Sequence, residues 1–94
     1  MPDTEANKAS KYAAEHIIAS KYDEIKRHKE NIDSMRTRLI IYLSMLDEPH
    51  EIIYETMQYN LMMIEEYKKI QFCHEYITSM YEMILENSSQ ETEE

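Results

Sequence analysis

Glycine and tryptophan are absent from this 94-residue chain, which has only two prolines, one cysteine and one phenylalanine. Without glycine the backbone has no low-cost access to positive φ. Phosphate-cradling loops, glycine bulges and αL helix caps are therefore excluded, and most motif-based readings as an enzyme go with them. The single Cys73 excludes an intramolecular disulfide and a multi-cysteine metal knuckle, and it points to a reducing compartment, the cytoplasm. The opening Met1-Pro2-Asp3-Thr4-Glu5 has neither the basic region nor the apolar run of a signal peptide. Long hydrophobic runs are missing too. The richest, Leu39 to Leu46, is eight residues with Ser44 among them, against the roughly 20 that cross a bilayer.

Basic charge is scarce as well: ten Lys and Arg stand against nineteen Asp and Glu, for a net charge of −9. That balance argues against a direct nucleic-acid binder, whose affinity comes largely from phosphate neutralisation. The deficit is uneven. Residues 1–46 hold eight basic and seven acidic side chains, whereas residues 47–94 hold two and twelve. The basic run Lys26-Arg27-His28-Lys29, with Arg36 and Arg38, winds around a helix instead of forming one stripe, and reads as a solvated face.

What the chain does have is helical periodicity. Ile18, Ile25, Ile32, Leu39 and Leu46 recur every seven residues, with Tyr22 and Leu43 on the intervening four-residue step and polar Lys29 and Arg36 between. This phase predicts one continuous helix over about 4–46, running through Asn31, Asp33 and Ser34 although those residues favour caps. Pro49 disfavours the α conformation at Glu48, so a turn is expected at about 47–49 and a second helix at about 50–87. In that helix Met63, Tyr67, Ile70, His74, Ile77, Tyr81 and Ile84 alternate by four and three, with Ile53, Met57, Leu61 and Ile64 in a slightly shifted phase upstream. Residues 88–94 are polar and acidic and read as a disordered tail. The predicted fold is all-α, a long antiparallel helical hairpin.

Near the turn, apolar residues encircle both predicted helices, and one hairpin partner cannot cover them. Small chains with marginal cores commonly associate, so the expected assembly is a homodimer forming a four-helix bundle. The predicted contact residues, placed off the hairpin seam, are Ile40, Ile41, Tyr42, Met45, Ile52, Tyr54, Tyr59 and Met62. Eight methionines and eight tyrosines suit an adaptable interface.

Four histidines sit beside Glu15, Lys29, Glu51 and Cys73, yet none has a glutamate three residues before it, as the helical di-iron motif requires. A turn near residue 48 places His28 opposite Lys68, His74 opposite Tyr22 and His16 opposite Met80, so no two histidines meet. No metal ligand, cofactor site or catalytic residue is assigned. Adjacent Cys73 and His74 point about 100° apart on a helix and do not form a nucleophile–base pair. His74, predicted in the seam between Ile70 and Ile77, is assigned a register-setting role. The function expected from these features is a non-enzymatic protein–protein interaction module, acting as adaptor or regulator. A small acidic inhibitor that occludes a basic or nucleic-acid-binding surface of its target is the alternative, and a metal-binding bundle the second.

Overall fold

The computed structural model describes the backbone of residues 4–93 and the side chains of residues 8–87. Two helices make up the fold: α1, Thr4–Leu43, of 40 residues, and α2, Pro49–Glu93, of 45 residues. They pack antiparallel as a helical hairpin, drawn out into a rod of 73 × 16 × 12 Å. No strand, cis peptide or positive-φ residue occurs among the described residues, as expected of a chain without glycine.

The link, residues 44–48, follows from local chemistry. The Ser44 amide still reaches the Ile40 carbonyl at 3.3 Å. The Met45 and Leu46 amides then bond only three residues back, to Tyr42 and Leu43 at 3.0 and 3.3 Å, which tightens the last turn to the 3₁₀ pattern. The Ser44 hydroxyl donates to the Ile41 carbonyl at 2.6 Å. These competing bonds end α1 at Leu43, three residues before the expected position. Glu48, held out of the helix by the following proline, presents its carbonyl to the Ile52 amide at 3.1 Å, so Pro49 opens α2 at the position where its missing N–H costs nothing.

Helix α1 is unbroken through residues 31–34. At the other end α2 continues to Glu93, through most of the stretch expected to be a disordered tail. Ser88 to Glu93 contains no glycine or proline to stop a helix, and Gln and Glu are good helix formers. Glu94 lies outside the described residues.

The seven-residue anchors are where periodicity places them: Ile18, Ile25, Ile32 and Leu39 are buried on α1, Ile70 and Ile77 on α2. The residues between them are not. Except at Leu39, where Leu43 is half-buried and Tyr42 exposed, each second seam position falls three residues after its anchor instead of four. Lys21, His28 and Met35 therefore replace Tyr22, Lys29 and Arg36, and Glu66, Cys73 and Met80 replace Tyr67, His74 and Tyr81. Tyrosine is wide and its hydroxyl needs a polar partner, so the two helices close along the narrower side chains and leave Tyr22, Tyr67 and Tyr81 on a wet flank. His74 is exposed, and Cys73 holds the seam position assigned to it. The helices are also offset by two residues from the expected register: His28 faces Glu66, not Lys68. The pairings proposed for His74 with Tyr22 and His16 with Met80 slide by the same amount.

The core lies toward the end of the rod remote from the link. Ala14, Ile18, Ile25 and Ile32 pack with Ile70, Cys73, Ile77 and Met80, and Met63 and Ile84 lean on this cluster. On α2 no apolar residue before Ile70 is buried, and on α1 only Leu39 is buried beyond Ile32.

Candidate interaction surface

The turn half of the rod is apolar on the outside. Ile40, Ile41, Tyr42 and Met45 of α1 and its link are exposed, as are Tyr54 and Met62 of α2, with Met45 at 71%. These six predicted contact residues lie on the surface. Ile52 and Tyr59 differ, being half-buried. They fall in phase with Met63 on the hairpin seam, because the seam keeps one phase along α2 instead of shifting upstream. Ile53, Met57, Leu61 and Ile64, read from sequence as seam, are correspondingly exposed.

Their exposure extends into a second apolar line that inspection of the sequence merged with the first. Ile53, Met57, Ile64, Tyr67, Tyr81 and Leu85 alternate by four and three along one flank of α2, interrupted by Asn60, Gln71, His74 and Thr78. In heptad terms these are the positions next to the seam, where a further helix packs. At 1.5 Å per residue this flank is about 48 Å long. At the turn, Tyr42, His50, Glu51, Tyr54 and Glu55 line an open groove of about 470 Å³, aromatic on its walls and acidic at its rim.

Midway along the rod the seam is polar. Glu66, the buried charged residue of the core, takes a 2.6 Å hydrogen bond from His28 Nδ1, a long 3.5 Å bond from Asn31 and a 3.4 Å contact from the Lys69 ammonium. Burial works to raise the Glu66 pKa. The bonds from His28 and Asn31, with the Lys69 charge and bond, outweigh it and hold the carboxylate below its ordinary range. His28–Glu66 is the one acid–base side-chain pair between the two helices among the described residues, the ion pairs being three-residue steps within a helix. Sequence reading missed this knot because both residues look like surface charges. The available signal was position, since each stands three residues after one apolar anchor and four before the next: His28 between Ile25 and Ile32, Glu66 between Met63 and Ile70.

One heptad further from the turn, the Lys21 ammonium pairs with Glu24 at 2.9 Å and lies 5.0 Å from the Tyr76 ring centre. Hydrogen bonding from Lys21 lowers the Glu24 pKa against the opposing effect of desolvation. The Cys73 thiol is buried and faces Glu24 with a long 3.9 Å contact. Burial and the Glu24 carboxylate push its pKa up, which suppresses the thiolate that nucleophilic chemistry needs. A shallow groove of about 330 Å³ runs past Cys73 and Phe72 between Lys21, Glu24 and His28 on one side and Glu65, Lys68 and Lys69 on the other. Among the described residues no three His, Cys, Asp or Glu side chains gather closely enough to hold a metal ion, and no helix is long and apolar enough to cross a membrane.

Comparison of the chain with protein-family models, with curated proteins and with solved structures finds no match.

Proposed function

We propose that this chain is a non-enzymatic interaction module, a helical hairpin that associates with a second copy and binds a partner protein as adaptor or regulator. The observation that carries this reading is the unequal distribution of apolar burial. The half remote from the link has a closed core, while the turn half exposes large apolar side chains on both helices, including Ile41 at 56% and Met45 at 71%. Surface of this kind is normally covered in the functional state. A buried, unpaired thiol with a raised pKa fits action in the reducing cytoplasm.

Light scattering on a sizing column, at low and high salt, tests the association. A mass near twice 11.4 kDa in both conditions is the expected result, and a monomer throughout the micromolar range rejects it. Ile41→Asp combined with Met62→Asp places two charges on exposed positions, and should abolish the dimer while far-ultraviolet circular dichroism keeps most of its helical signal. An unchanged mass refutes the assignment of this surface.

The charge distribution favours a second reading, a small acidic inhibitor covering a basic surface of its target. Glu51, Glu65, Glu75, Glu82 and Glu86 all lie exposed along α2. Binding that weakens steeply with added salt supports the inhibitor, and binding indifferent to salt supports the apolar adaptor.

A further inference from the structure

We infer that the second copy lies on the apolar flank of α2 with its turn at the same end of the rod, so that α1 of each copy runs beside α2 of the other. The inference rests on the self-association reading and adds the arrangement.

Two observations carry it. The first is area. The chain exposes 7492 Å², against about 5,800 Å² for a compact chain of its mass. The excess is about twice the roughly 800 Å² that each partner gives to a standard interface. The flank formed by Ile53, Met57, Ile64, Tyr67, Tyr81 and Leu85 offers an apolar seat about 48 Å long, broken by four polar residues.

The second is the position of the missing core. Two hairpins laid face to face on a twofold axis have two arrangements. With the axis along the rod, both turns lie at one end, and two uncovered apolar halves complete one another. With the axis across the rod, the uncovered half of each copy lies over the half that already has its core.

A spin label in the link measures the arrangement directly. In a Cys73→Ala background, Glu48→Cys carries the label, and dipolar spectroscopy reads the distance between the two copies. Turns at one end place the labels within roughly 30 Å, since neighbouring helices of a bundle lie about 10 Å apart. A distance approaching the 73 Å length of the rod overturns this arrangement while leaving self-association intact. A monomeric mass overturns self-association itself.

Should the Cys73→Ala background unfold, Glu48→Cys with the buried Cys73 in place supplies the same answer: a bis-maleimide spanning about 10 Å should join two copies through their turns, and a chain that is dimeric by mass yet fails to cross-link rejects the arrangement.

Discussion

The carboxylate of Glu66 is the residue on which the hairpin's register turns. It is buried in the seam, and its partners come from both helices: His28 and Asn31 from α1, Lys69 from its own. Removing one member of such a group leaves the other desolvated, whereas removing both with apolar side chains removes the penalty as well. His28→Leu should therefore cost about 1–3 kcal/mol in urea unfolding. The double variant His28→Leu with Glu66→Leu should recover that loss or exceed the parent in stability. The recovery comes with looser registration, because two apolar residues accept several axial offsets where a 2.6 Å bond accepts one. The pH dependence has a definite sign. The folded-state pKa of Glu66 is depressed, so the unfolded chain takes up its proton first as pH falls. Its contribution is complete above the ordinary glutamate range and is lost as the pH falls through the folded value. Thermal melts between pH 7 and pH 3 should show a shallower acid decline in Glu66→Gln than in the parent; equal slopes would assign the acid sensitivity elsewhere.

At the level of the helix, the two halves of α1 should answer differently to the same truncation. Ile32 is 3% exposed and Ile40 is 64% exposed. Ile32→Ala should cost about 2–4 kcal/mol at any protein concentration. Ile40→Ala should leave a dilute hairpin almost unchanged and act on association, so its effect on the melting temperature appears only as concentration rises. The contrast also explains what could be read without coordinates. The seven-residue recurrence of Ile18, Ile25, Ile32 and Leu39 determines that α1 is long, unbroken and faces one partner, and Pro49 marks the reversal. The intermediate positions resisted reading because a three-residue and a four-residue step both keep a side chain near the seam. Apolar character favours Tyr67 over Glu66, while the geometry of close approach favours the reverse. The outer surface at the turn was legible from residues 39–46, since a helix apolar all round cannot be covered by one neighbour. Ile52 and Tyr59 were misplaced because that same all-round character hides which residues face inward. The two-residue slip in register came from the link, whose tightened last turn ends α1 early.

For the molecule as a whole, stability should be graded along the rod. Backbone hydrogen bonds open locally wherever few apolar contacts hold the helices together. In dilute solution, amides of residues 53–62 should exchange about tenfold faster than those of residues 18–32, and should slow as association covers them. Uniform protection along the chain would mean that the turn half is closed by contacts other than burial. The same gradient dictates the order in which the chain can fold. A hairpin with its apolar contacts beside the turn can zip outward from a short loop. Here the residues that meet first with any gain are separated like His28 and Glu66, 38 apart, or Glu24 and Cys73, 49 apart. The link is brought together last, after a long loop has already been closed at an entropic cost that grows with its length. A lone copy thus folds from its open end only after closing a loop of about 40 residues, and folding slows accordingly. A neighbour at the turn supplies a nucleus where the chain is shortest, and couples the speed of folding to the amount of protein present.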